Sequence, residues 1–282
     1  PPPADERNEP VSAALRPDPM VLVCPASTCA AVRAAIAAGA HAVRWDLDPA
    51  SPSAELEGAV ADAHAGGGKL VAALDGFARG GALDTWRHAV DAAAEAGADA
   101  LLLADMGLLD HAARHHPRLG RHLAARAGAA TPEAIRFYAE SWGVKRVVLP
   151  RALTAEEIST LRREGRIALE VTVDAAPAGT VGAAEPDALA ADPTRPAGCA
   201  LLWRLQAAGV DALALADPPR DEAALGRVVR TFAAAVAGLA RGKSPDAVAR
   251  LAAAAADAPA AQGAAPPAEE PAGEAAEEGA AP

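Results

Sequence analysis

The chain has 282 residues, of which 51% are hydrophobic, and a formal net charge of −11. That length and apolar content supply the core of one large domain, and the acidic balance excludes the basic footprint of a protein held mainly by nucleic-acid phosphates. The charge is uneven, because the segment from Ser244 to Pro282 carries −6 and the remainder −5. Three cysteines, Cys24, Cys29 and Cys199, make no disulfide framework. No uncharged apolar run reaches the roughly 18 residues of a membrane span. No basic stretch leading into an apolar one opens the chain, so a cytoplasmic location is expected.

Residues 1–19 are proline-rich without an apolar period and read as a disordered arm. Eight strand–helix pairs follow, with strands expected at 21–24, 41–46, 69–74, 99–104, 121–126, 145–149, 167–173 and 211–216. They are short and apolar without polar alternation, as suits strands covered on both faces. Four units share one pattern, a helix closing at Gly39, Gly97, Gly143 or Gly209, an apolar strand, then Asp or Pro-Arg. Helix starts are legible at Thr131-Pro132-Glu133 and in the capping box Thr154-Ala-Glu-Glu157. Helices are expected over 84–97 and 131–142, and a long irregular insertion over 174–198. From 244 a short helix through Leu251 gives way to Ala/Pro/Glu low complexity, so 244–282 reads as a mostly disordered tail.

Eight βα units over 20–243 predict an α/β fold, a single (β/α)8 TIM-barrel-like domain. An open doubly wound sheet fits less well. Its first turn is normally glycine-rich, whereas here it reads Cys24-Pro25-Ala26-Ser27.

A barrel keeps its site at the C-terminal strand ends. In order these are Cys24, Asp46, Asp75, Asp105, Arg126, Arg151, Asp174 and Asp217. Arg126 and Arg151 could clamp a small anion bidentately. Asp105 and Asp75 are the candidate catalytic acid–base groups, with Asp46 and Asp217 as further ligand-binding positions. For any one aspartate the competing role is to cap the next helix. Lys69 and Lys145 begin their strands, which argues against a Schiff-base lysine at the active end. Cys24 has no histidine partner nearby apart from His111 across the mouth, which argues against a cysteine nucleophile. His111 and His115, four apart on a helix, read as solvated surface, and no metal site is expected. Trp86, Phe137, Tyr138 and Trp142 fall on helices and read as packing residues.

Val21-Leu-Val-Cys-Pro-Ala26, Ala89-Val-Asp-Ala-Ala-Ala94 with Gly97-Ala-Asp-Ala-Leu101, and Glu133-Ala-Ile-Arg-Phe-Tyr138 followed by Val147-Val-Leu-Pro-Arg151 resemble the collagenase-like U32 peptidase family. The similarity is greatest to its UbiU-like branch, which serves oxygen-independent ubiquinone hydroxylation. It runs from about Val21 to Glu170 and resumes at Leu205-Gln-Ala-Ala-Gly-Val-Asp-Ala212. The resemblance implies a barrel, a UbiV-like heterodimer partner and, in many members, an iron–sulfur cluster held by four cysteines after the seventh strand. Here Asp174-Ala-Ala-Pro-Ala-Gly-Thr-Val-Gly-Ala183 stands in that place. Cys199 alone cannot supply the thiolates a cluster needs, so no cofactor is expected.

The sequence reading is therefore a divergent UbiU-like barrel that has lost the cluster. It would act as an accessory or partner protein binding a small anionic ligand, with catalysis left undecided. The alternative is a cluster-free barrel enzyme using the Asp/Arg ring as acid and base or with a divalent metal. Peptidase chemistry ranks last, since no nucleophile constellation supports it.

Overall fold

The computed structural model describes residues 20–51, 55–150, 153–174, 189 and 191–258. Its eight strands are β1 (Val21–Pro25), β2 (Ala42–Asp46), β3 (Lys69–Leu74), β4 (Ala100–Leu103), β5 (Gly120–Leu123), β6 (Arg146–Val148), β7 (Ala168–Asp174) and β8 (Ala212–Ala216). All neighbouring pairs are parallel, and β8 returns to β1, so the sheet closes in sequence order. The helices are α1 (Cys29–Ala37), α2 (Glu55–Ala65), α3 (Leu83–Glu95), α4 (Met106–His115), α5 (Pro132–Trp142), α6 (Ala155–Gly165), α7 (Pro196–Ala207), α8 (Glu222–Ala240) and α9 (Pro245–Asp257). The expected (β/α)8 barrel is the observed one.

Helix starts are set locally. The hydroxyls of Thr28, Thr131 and Ser244 accept the backbone N–H of Ala31, Ala134 and Ala247, and Thr154 with Glu157 forms the capping box. Strand alternation then divides the apolar residues into two layers. Leu22, Val43, Leu70, Leu101, Leu123, Val147, Leu169 and Leu213 point outward into one large core shared with the helices. The alternate residues face the lumen. They form two small clusters dominated by alanine: Ala42, Ala212 and Ala214 with Val23, and Ala73, Ala100, Ala104 and Ala124 with Val71, Leu102 and Val148.

Most boundaries fall within a residue or two of expectation, and two of the differences matter. β5 ends at Leu123, and residues 125–127 form a 3-10 turn, so Arg126 stands on that turn rather than on a strand. The final helix continues past Leu251 to Asp257, so the packed layer extends beyond the expected boundary at 243. Alanine-rich sequence is strongly helix-forming. Here Val248, Ala249 and Ala252 give it a buried stripe against α8 and α7. The expected arm (1–19), residues 259–282 of the expected tail, and residues 175–188 and 190 of the insertion lie outside the described residues.

α8 is long and apolar enough by length and composition to cross a bilayer. In the barrel it is a core helix, with Leu225, Val229, Phe232, Val236 and Leu239 buried and α1, α9 and β1 packed against it.

Gly198 lies in the first turn of α7, the helix of the seventh unit. A Cβ there would lie 2.0 Å from the Asp192 carbonyl oxygen, a backbone atom that cannot swing aside. Gly198→Ala should therefore destabilise the barrel by about 1–3 kcal/mol, read as a lowered urea midpoint at unchanged m-value.

Candidate functional site

The C-terminal strand ends bring some of the expected residues together. Asp75, just past β3, faces Arg126 at 3.5 Å between Oδ2 and Nε, and both side chains are well exposed. Asp46 ends β2 and lies 3.2 Å from Arg44 Nε. Asp217 follows β8, exposed and with φ of 41°, a left-handed backbone. Asp105 serves the fold directly. Its Oδ1 accepts the N–H groups of Gly107 at 2.7 Å and Leu108 at 3.2 Å, capping α4, and its Oδ2 accepts the Ala78 N–H at 3.2 Å. It ties the β3–α3 loop to the start of α4 and would have to surrender those bonds to act as a base. Arg151 lies outside the described residues.

Cys24, expected at the rim, points outward into the core between barrel and helices. Strand β1 runs one residue further than expected, to Pro25, and Cys24 falls on the outward alternation. Burial pushes its thiol up to about 12, against a smaller opposing effect of Arg44.

Below the rim lies a charged group that the search of strand ends missed. Arg44, Arg146 and Glu170 occupy lumen positions on β2, β6 and β7. Arg146 Nη1 donates to Glu170 Oε2 at 3.2 Å, and the Glu170 side chain is only 5% exposed. Burial pushes the Glu170 carboxyl up, while Arg146 and Arg44 pull it down. Both Arg44 and Arg146 keep a buried Nε that makes no hydrogen bond. The Arg44–Asp46 contact is an ion pair that is not aligned as a hydrogen bond. His122, on the same face of β5, has its ring pushed down to about 3 by burial and by the charges of Arg146 and Lys69. The signal available in the sequence was a charged residue in mid-strand between apolar neighbours: Val43-Arg44-Trp45 and Leu169-Glu170-Val171.

His111 and His115, expected as solvated surface, stack with ring centroids 4.5 Å apart, and the His111 ring is largely covered at 13% exposure. Among the described residues, the donors that converge are Asp91, His111 and His116, on outer helices away from the mouth.

Removing the carboxylate charge in Glu170→Gln strands Arg146 in the lumen and should cost about 3–5 kcal/mol of unfolding free energy, measured by urea denaturation. His122 gives a pH signature. Its folded-state value lies below the unfolded one, so between about pH 6.5 and 3 the unfolded chain binds a proton that the folded chain refuses. Stability from this ring is complete above that window and is lost as pH falls, at up to about 1.4 kcal/mol per pH unit. His122→Gln should flatten that slope in denaturation series across the window.

A protein-family model, Peptidase family U32, matches residues 28–177. Two curated relatives are each named tRNA hydroxylation protein P. The one from Escherichia coli (strain K12) is 30% identical over 151 residues, covering 51% of this chain and 33% of that protein. The one from Haemophilus influenzae is 28% identical over 164 residues, covering 55% of this chain and 35% of that protein. The matched region thus spans about a third of each curated relative. Among solved structures, a U32 peptidase superposes with a TM-score of 0.52 at 15% identity, covering 71% of this chain and 94% of that one. Dihydrodipicolinate synthase from Agrobacterium tumefaciens gives 0.51 at 17%, covering 83% and 80%. At those identities the likeness concerns the barrel alone. The family match spans the barrel from the cap of α1 past the end of β7, where the sequence motifs had pointed, and the chain belongs to peptidase family U32.

Proposed function

We propose that this barrel serves a hydroxylation system as an accessory subunit, binding a small anionic ligand through the C-terminal mouth. The observation that carries the reading is the lumen, where Arg146 pairs with the buried Glu170 carboxylate, Arg44 pairs with Asp46, and the Nε of each guanidinium is buried without a hydrogen bond. An oxyanion reaching past the rim would accept hydrogen bonds from those donors. Arg126 stands at the rim to receive it, held only by an exposed ion pair with Asp75.

Membership of the U32 family and the hydroxylation named in two relatives support the assignment to a hydroxylation system. Within it we assign the chain to oxygen-independent quinone hydroxylation in the cytoplasm, beside a UbiV-like partner. The family's iron–sulfur cluster does not fit the residues present. The three thiols of this chain fall short of four ligands, and burial raises those of Cys24 and Cys199 to about 12 and about 11. The chemistry would then reside in the partner, and the barrel would hold and orient the ligand.

A second reading takes the hydroxylated substrate to be tRNA, as the relatives' names suggest. The net charge of −11 weighs against direct phosphate binding by this chain.

Deleting the gene in the source organism and growing it without oxygen separates the readings. Mass spectrometry should show a quinone precursor lacking a hydroxyl group, with tRNA nucleosides unchanged. Loss of a hydroxylated tRNA nucleoside with normal quinone would establish the second reading, and no change in either pool would overturn both. Arg126→Gln in the complemented strain should lower quinone yield several-fold while leaving the melting temperature of the purified protein within about 1 °C, since exposed ion pairs contribute little stability.

A further inference from the structure

Three histidines stand near one another on the outer layer, and the chain geometry explains why only two of them converge on a carboxylate. His111 projects from α4. His116 is the residue that ends this helix, with φ −128° and ψ 60°, while its N–H still bonds the Ala112 carbonyl at 2.9 Å. On a continuous helix His116 would sit about 140° round the axis from His111. Leaving the helix brings its ring to the same side. The turn is pinned from behind. Arg121, 8% exposed, donates through Nη1 to the carbonyls of His116 at 3.3 Å, Pro117 at 3.4 Å and Leu119 at 2.9 Å, and through Nε to that of Trp142 at 2.6 Å.

Asp91 meets them from α3. Its Oδ1 lies 2.7 Å from His111 Nε2 and 2.6 Å from His116 Nε2. One ligand atom from each residue falls within 4.8 Å of the other two. Burial alone would raise the Asp91 carboxyl, but the bonds and charges of His116 and His111 outweigh it and hold the group below its usual range. The rings are largely covered, at 13% and 23% exposure, yet His116 also lines an open groove of about 560 Å³ with His115, Arg118 and Asp99. An ion could therefore reach the cluster from solvent.

We propose that Asp91, His111 and His116 form a binding site for a divalent transition-metal ion, Zn²⁺ foremost. Two imidazoles and one carboxylate suit borderline ions and are a poor match for Mg²⁺ or Ca²⁺, which prefer all-oxygen shells. A tetrahedral zinc with bonds of about 2.0–2.1 Å keeps its donor atoms about 3.3 Å apart. The rings must therefore withdraw from Asp91 by only about 0.6 Å, the scale of a small side-chain rotation. His115, stacked on His111 at 4.5 Å, or water from the groove would fill the fourth position. On binding, each Nε2 gives up its hydrogen. A neutral ring passes it through solvent to Nδ1, and a charged ring releases a proton to solvent.

The competing account is a helix clasp, in which Asp91 merely joins α3 to α4. Untagged full-length protein, stripped with chelator and titrated with ZnCl₂ by calorimetry, distinguishes them. The expected result is one zinc per chain, no heat with MgCl₂, and affinity at least tenfold weaker in Asp91→Ala and His116→Ala. His88→Ala should bind like wild type, since His88, on α3 with Asp91, hydrogen-bonds the Asp84 carbonyl at 2.7 Å and stands outside the Asp91 cluster. No zinc binding by the wild type, or equal affinity in all variants, would overturn the site. A Co²⁺-loaded wild-type sample guards against misfolded variants. Visible bands of a nitrogen/oxygen tetrahedral site support the assignment, and sulfur-to-cobalt charge transfer would move the ion to a cysteine and refute it.

Discussion

The ion pair between Arg146 and Glu170 is the constraint around which this barrel's interior is arranged. Barrels of this kind usually fill their lumen with layers of bulky branched side chains. Here much of the lumen is alanine, and the volume left over holds two arginines, a glutamate and a histidine. Small neighbours make room for long charged ones. The arrangement is costly, because each charge gives up water on entering the barrel. Glu170 pairs with Arg146 and Asp46 with Arg44, yet the Nε of each arginine stays buried without a hydrogen bond.

The rim above this chamber is acidic and largely committed to structure. Asp105 spends both carboxylate oxygens on backbone amides, joining the loop after β3 to the helix after β4. Asp75 and Arg126 neutralise one another at the surface. The mouth therefore combines a polar entrance, adjustable at little cost in stability, with a buried charged floor that is not.

The opposite side of the molecule has its own organisation. Arg121 sits on the outward face of β5 and gathers the carbonyls of the α4–β5 turn and the end of α5. Gly143, with φ of 64°, lacks the Cβ that would press on Arg121 Nη2 at 2.9 Å. One buried guanidinium thus sets the path of the turn, and the turn sets the position of His116 beside Asp91. The imidazole cluster follows from that packing.

Much of the architecture was legible in the residues alone. Helices closing at Gly39, Gly97, Gly143 and Gly209, each leading into an apolar strand, determined the order of elements and the parallel barrel, because caps, turn glycines and apolar runs act over a few residues. Family membership was legible for the same reason, in contiguous motifs. The site was less so. The strand-end rule named Asp75 and Arg126, which meet at 3.5 Å, and Asp105, whose oxygens also cap a helix, and it passed over Arg44, Arg146 and Glu170. Composition likewise hid the second half of α9, past Leu251, whose alanines look featureless until α8 lies beneath the helix. Sequence determined which residues form each strand and which face alternates inward. Only the closed tertiary structure decided which inward charges meet, and which histidine leaves its helix to join a carboxylate, because those depend on distances across the barrel and between helices.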